Sequence, residues 1–447
     1  MASEYRMIEK SSQESVMSEL DVFETPISKT SIREGELYEL PPERHPVGLS
    51  PITFEVTGNN MYYIDLNKTL VHLQGTIKHQ DGTKLDDDGT KVQITHSTNL
   101  FHSMISNLRI YFNQHEVENN VNYAHKAFLT TILNFGSDAK HSHLSTVKWI
   151  DDGMHEEHCA NLSAQQKALM KARASKLAGS KIIDMIGRPI TPLFTQGKYL
   201  IPGLNIRIEI EFHQPKDLLQ YTETGLDANY KFEITKAALL LRRVQVHPTI
   251  ATSHARLLDN GKRALYQINR TDVQFFTISP GRQSQNINVI NNKQEPKICI
   301  VGLMSHSAKE GSYEHSSFKF EHYNVSSINV VVNGNYTLKK PLQLNYDENI
   351  YIRAYHNLMT VCDKTHSDAG NDITPEQFKN SLCLYAFDLT PDLCHGDGVH
   401  LMRTSDTTIE LTFDQALPET VSAMVYCEYD DLLRIDKTRT VEIASKS

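Results

Sequence analysis

From Ile52 onward the chain is built of short segments in which apolar and polar residues alternate, each bounded by Gly, Asn or Asp. "YYIDLNKTLVHLQGTIKH" (62–79), "NLRIYFNQHEV" (107–117), "LNIRIEIEFH" (204–213) and "KAALLLRRVQVHP" (236–248) are the clearest. A period of two places alternate side chains on opposite faces, so these segments predict β-strands with one face buried. In "LNIRIEIEFH" the inward set is Ile206, Ile208, Ile210 and Phe212; the outward set is Arg207, Glu209 and Glu211. Helical periodicity is scarcer. It appears in "YAHKAFLTTILNFG" (123–136) and in "SAQQKALMKARASKLAG" (163–179), which opens on a capping Ser and closes on Gly179.

The order of segments then repeats. "LRIYFNQ", with Leu108, Ile110 and Phe112 before Asn113, is echoed by "INVVVNG", with Ile328, Val330 and Val332 before Asn333. An Asn-containing hairpin turn is expected after each. The helical "YAHKAFLTTIL" is matched by "IYIRAYHNLMTV" (350–361). Each half closes on an amphipathic strand, "IRIEIEF" (206–212) or "TIELTF" (408–413), followed by an apolar one, "AALLLRRVQV" or "SAMVYCEY". This is the pattern of a duplication. It predicts an all-β chain of two tandem eight-stranded jelly-roll sandwiches, a double jelly roll, with short inserted helices. Immunoglobulin-like modules, nearer about 100 residues each and seldom carrying a helix, fit less well, as does one large barrel.

Residues 1–50 lack this periodicity and carry the breakers "TPISKT" and "ELPPERHP", so they are expected to form an extended, acidic N-terminal arm. The first jelly roll is assigned to 51–260, with a helical insertion at about 137–180, and the second to 261–440. Residues 441–447 are left as a tail. The boundary is placed near Asn260, where a short helical stretch closes on "DNG".

A chain of 447 residues with 39% hydrophobic and 22% charged residues can build more than one folded core. Its formal net charge of -9, with no basic run in the arm, argues against direct nucleic-acid binding. The N-terminus does not read as a signal peptide, no apolar run approaches the roughly 20 residues of a membrane span, and synthesis in the cytoplasm is expected. Six cysteines without any C-x-x-C pair fit reduced thiols better than a disulfide frame or zinc ribbon. The N-x-S/T triplets are put down to chance.

Two clusters carry metal-ligand types. "CHGDGVH" (394–400) holds Cys394, His395, Asp397 and His400, in C-H-x-D-x-x-H spacing within a Gly-containing segment. Zinc sites draw on paired ligands at fixed spacing on rigid elements, and a solvated loop is the better reading. "HSHLSTVKWIDDGMHEEHCANLS" (141–163) holds His141, His143, His155, His158 and Cys159, but its two HEEH histidines are three apart rather than the four of a zincin. It reads as a polar insertion pinned by Trp149, the chain's single tryptophan. "DDDG" (86–89) lacks the spacing of a calcium loop and reads as a hairpin tip. The nucleophile-elbow, phosphate-loop and dinucleotide motifs are all missing.

The segment 274–346, which includes "QFFTISPGRQSQNINVINNKQEPKICIVGLMSHSAKEGSYEHSSFKFEHYNVSSINVVVNGNYTLKKPLQLNY", resembles the major capsid protein of Maverick/Polinton elements and the related adintoviruses. So do "FDLTPDL" (387–393), "LPETVSAMVYCEYDDLLRIDKTR" (417–439), "YYIDLNKTLVHLQGTI", "NLFHSMISNLRIYFNQHEV" and "FTQGKYLIPGLNIRIEIEF". The resemblance runs in order over about residues 18–440. It implies a homotrimer whose six sandwiches form a pseudo-hexameric capsomer of an icosahedral virion shell around double-stranded DNA, alongside penton or minor capsid proteins. It implies no catalytic, cofactor or metal residues. On that reading 137–180 and 362–378 are candidates for outward loops, and the arm either lies under the shell or ties neighbouring capsomers, ordering on assembly. The competing classes are a carbohydrate-binding or hydrolytic β-sandwich, which needs convergent carboxylates or aromatics, and a metal-dependent enzyme built on 394–400 or 155–159.

Overall fold

The computed structural model of the protein describes residues 9, 11, 17–150, 162–226, 229–366, 368–393 and 398–446. The first half supplies eight principal strands: β1 (Ile32–Leu40), β2 (Ile52–Val56), β3 (Leu70–His79), β4 (Ile105–Phe112), β5 (His115–Val121), β6 (Ile183–Gly187), β7 (Ile206–Phe212) and β8 (Tyr230–Val246). Two four-strand paths result, β1-β8-β3-β6 and β2-β7-β4-β5, with every pairing antiparallel. The second half supplies β9 (Ala264–Ile278), β10 (Ser284–Gln294), β11 (Ile298–Ser305), β12 (Val325–Val332), β13 (Asn335–Tyr336), β14 (Leu384–Asp388), β15 (Thr404–Phe413) and β16 (Val421–Ile435). These pair as β9-β16-β11-β14 and β10-β15-β12-β13. Adding eight to each label of the first half gives the second.

Local chemistry repeats with the topology. The β4–β5 turn holds Asn113 and Gln114 at positive φ (48° and 71°), and the β12–β13 turn holds Asn333 and Gly334 likewise (51° and 77°). Two successive positive φ values match the twist of a two-residue hairpin, and Asn tolerates that conformation better than other side chains. Each Asn also ties its hairpin to the neighbouring strand region. Asn113 Oδ1 accepts from the Asn205 amide and Asn333 Oδ1 from the Asp406 amide, both at 2.9 Å. In the third strand of each half a glycine lies under a phenylalanine: a Cβ on Gly75 would sit 2.4 Å from the Phe232 ring, and one on Gly302 2.6 Å from that of Phe320. Only a residue without a side chain lets those rings lie on the sheet.

The alternation predicted for β7 is present. Ile206, Ile208 and Ile210 are buried, and on the other face Arg207 bridges Glu209 while Arg109 of β4 bridges Glu211. Helix α1 (Tyr123–Asn134) lies between β5 and β6. Helix α2 (Ala164–Ser175) starts on a capping box in which the Ser163 hydroxyl accepts from the Gln166 amide and the Gln166 side chain from the Ser163 amide. It ends before Gly179, which is in a following turn at φ +65°. Helix α3 (Pro248–Asp259) connects β8 to β9, α4 (Ile352–Val361) lies between β13 and β14, and α5 (Pro375–Asn380) follows it.

Four expectations change. Residues 32–40 of the supposed arm are strand β1, paired over its length with β8. Its side chains are exposed on both faces, so no buried set marks it in the sequence. Residues Val441–Ile443 of the supposed tail pair with β16. The 137–180 segment is not wholly an outward loop, because Leu144, Val147, Trp149, Met170, Ala174 and Leu177 are buried. "DDDG" is no hairpin tip; it packs over the end of α2, where Asp86 O accepts from the Gly179 amide and a Cβ on Gly89 would touch Ser175.

Candidate functional site

Some of the chemistry-bearing side chains join the two halves, and others fasten surface loops. Helix α1 is one such joint. Ten of its twelve residues are buried, which its sequence signals by having apolar or aromatic residues on almost every side. Its outer surface meets the second half: Phe128 stacks on Phe318 (centroids 4.7 Å apart, 22°), with Trp149 at 6.0 Å and Phe320 at 6.5 Å. His125 fits between Phe275 and Phe318 and donates from Nε2 to the Ser317 carbonyl at 3.1 Å. Asn122 donates to the Val273 carbonyl, Lys140 to the Asn371 carbonyl at 2.7 Å, and Asn371 back to the Leu133 carbonyl. The 362–378 segment, expected to face outward, thus contributes buried Asn371 and Ile373 to this seam. Sequence reading found α1 and missed the seam, since a pattern that reveals burial does not reveal the partner.

Burial sets the titration behaviour of the candidate acids and bases here. Desolvation pulls His125 and His102 down to about 3, and it pushes the thiols of Cys362 and Cys383 up to about 12. Near neutral pH these imidazoles are uncharged and these thiols are protonated, unlike activated bases or nucleophiles. Cys299, Cys362, Cys383 and Cys427 are free thiols.

Of the first metal-like cluster, Cys394, His395 and Asp397 lie outside the described residues, and His400 does not face a metal-ligand set. Its Nδ1 is 2.9 Å from Asp430 Oδ2 and its Nε2 3.2 Å from Asp392 Oδ1, while Asp430 also accepts from Lys297 at 3.1 Å. His400 fastens the loop before β15 onto β16, beside a cavity of about 320 Å³ lined by Pro296, Leu389, Pro391, Leu401 and Arg403 among others. Of the second cluster, His141 bonds Ser137 within its own helical turn and His143 rests against Phe135. His155, His158 and Cys159 lie outside the described residues. Trp149 is buried against Phe128, in keeping with a pin. Among the described residues no group of three or more His, Cys, Asp or Glu side chains is placed to hold a metal ion, and no helix is long and apolar enough to cross a membrane.

The hydrogen bond from His400 to Asp430 raises the imidazole pKa above 6.5. A raised folded-state pKa stabilises the latch below 6.5 and loses that contribution as pH rises through the raised value. Proteolytic cleavage after Arg403 should therefore accelerate above pH 6.5, relative to a His400→Gln protein assayed in parallel. Identical pH profiles for the two would show that the latch is not charge-dependent.

No family model matches the sequence. An uncharacterised protein of Caenorhabditis elegans, F54H12.2, is 22% identical over 348 residues, covering 76% of this chain and 80% of that protein. Solved structures resemble the chain over nearly its whole length. The Sputnik virophage structure matches with a TM-score of 0.68 at 10% identity, over 98% of this chain and 94% of that one. The PBCV-1 virus capsid matches at 0.57 and 10% (94% and 99%), and the mavirus major capsid protein at 0.52 and 11% (98% and 96%). The fold is a double jelly roll. The seam built by α1 is accordingly the contact between the two jelly rolls of one chain, and the loop fastened by His400 belongs to the second. Two of these three structures are of viral capsid proteins, those of PBCV-1 and mavirus.

Proposed function

We propose that the protein is a major capsid protein. In this reading three copies trimerise into a pseudo-hexameric capsomer, and capsomers tile an icosahedral virion shell around a double-stranded DNA genome. The observation that carries it is the same eight-strand order met twice in one chain, with the PBCV-1 capsid and mavirus major capsid protein structures matching over more than nine-tenths of it. Six similar sandwiches from three chains present near-sixfold edges, so one chain can make a closed ring of head-to-tail contacts. The sequence resemblance narrows the source to Maverick/Polinton elements or adintoviruses. The division near Asn260, at the end of α3, is taken as the border between the jelly rolls.

The role is structural and needs no cofactor. Partners are other copies of the chain and the vertex or minor capsid proteins of the same shell. The net charge of -9 supports a shell that does not itself grip nucleic acid. Light scattering on purified protein should give three times the 50.8 kDa chain mass, and electron microscopy should show hexagonal capsomers or shells. A protein that stays monomeric at every concentration would overturn the proposal.

A further inference from the structure

The arm ahead of β1 exposes five large apolar side chains within eleven residues. Met17, Leu20, Val22, Phe23 and Ile27 are 66%, 70%, 73%, 94% and 93% exposed, and the hydrogen bonds of residues 17–24 close turns within the arm. At the root of the same arm lies a groove of about 630 Å³ between β1, α3 and β9. Val246, Ile250, Leu257, Leu258, Leu265 and Tyr266 supply its apolar surface, with Leu257 and Leu265 close to half exposed. Its lining holds Lys198, Lys262 and Arg263 and no carboxylate, although Arg263 also pairs with Glu442. The arm carries the opposite sign: Glu19, Asp21 and Glu24 against Lys29 over residues 17–31.

We propose that the arm of one copy, residues 17–30, docks in this groove on a second copy. Apolar anchors meet an apolar floor, and three carboxylates meet a rim of cations. Ser31, whose carbonyl accepts from the His247 amide, is the first residue of the arm to line its own groove, and residues 17–30 are exposed. Extended, that stretch spans up to roughly 45 Å, enough to reach a neighbouring subunit. The arm orders on binding, so its side-chain entropy is lost only when the apolar area is buried. The inference rests on the capsid reading only in that copies of the chain must meet.

The test mixes two full-length proteins, Phe23→Cys in isotopically light form and Leu257→Cys in heavy form, with a short thiol-reactive cross-linker. Both positions are exposed, so unchanged circular dichroism is expected for each. The expected result is a light–heavy adduct joining positions 23 and 257, identified by peptide mass spectrometry and reduced several-fold when Lys262→Glu is added to the heavy chain. Two results would overturn the proposal. One is an adduct found only within single molecules of a Phe23→Cys/Leu257→Cys chain at high dilution, which places the arm in its own groove. The other is no adduct while light scattering shows trimers or shells, which leaves the capsid reading standing. A cross-chain adduct in a protein that never passes beyond small oligomers would support the arm exchange and count against the shell.

Discussion

Replacing Phe128 with alanine is expected to destabilise the protein by about 3–5 kcal/mol, the range for removing a buried aromatic from a packed interior. Phe128 is 2% exposed, and its ring lies in a stack that runs from Trp149 of the first jelly roll to Phe318 and Phe320 of the second. The loss therefore falls on the seam as well as on one core. Calorimetry should show the thermal transition of the wild-type chain move down and separate into two, one for each sandwich. Phe128→Leu, which retains most of the volume, should lose less than about 1.5 kcal/mol. A Phe128→Ala protein that melts as a single unshifted transition would show that the stack does not join the halves.

A second large effect is expected at Lys126, two residues before Phe128 in α1. Lys126 is 4% exposed and its ammonium donates to Asn120 Oδ1 at 2.6 Å; Asn120 donates to Glu118, which also accepts from the Leu193 amide at 2.8 Å. Burial pulls Lys126 down to about 8 and pushes Glu118 up, while the field of each opposes the shift of the other. Lys126→Met removes the cation and leaves a buried carboxylate uncompensated, at a cost of about 3–5 kcal/mol. The paired change Glu118→Gln with Lys126→Met should recover most of that. The pH dependence separates this cause from lost packing. In Lys126→Met the folded-state pKa of Glu118 rises further than in the wild type, where it is already raised, so the deficit grows as pH rises through the wild-type folded value. Urea titrations at pH 5 and pH 7 that give equal deficits would rule the charge out.

Strands with one dry face were legible because the sequence writes that asymmetry directly, as at Ile206, Ile208 and Ile210. The two hairpins were legible because Asn113 and Asn333 stand where positive φ is required. Strand β1 was not, since both its faces are exposed and its pairing with β8 is a backbone matter that side chains do not announce. The seam was hidden for another reason. Lys140 and Asn371, or His125 and Ser317, are polar partners far apart in the chain, and a polar residue in a loop looks the same whether its partner is water or a distant carbonyl. His400 was picked out by its letters, but its role depends on Asp430, in a strand that reads as plain core. The reactive-looking clusters misled because residue type was visible and convergence was not.

Helix α1 closes its contact inside one polypeptide, and that has a consequence for dilution. Two sandwiches held by α3 and its flanking residues meet at an effective concentration in the millimolar range, whatever the amount of protein in solution. Every contact between separate chains must instead be won against the translational freedom of whole subunits. A preparation thinned step by step would shed any contacts between chains and keep the α1 seam until the fold itself gave way, so the smallest particle it could reach is the joined pair of sandwiches.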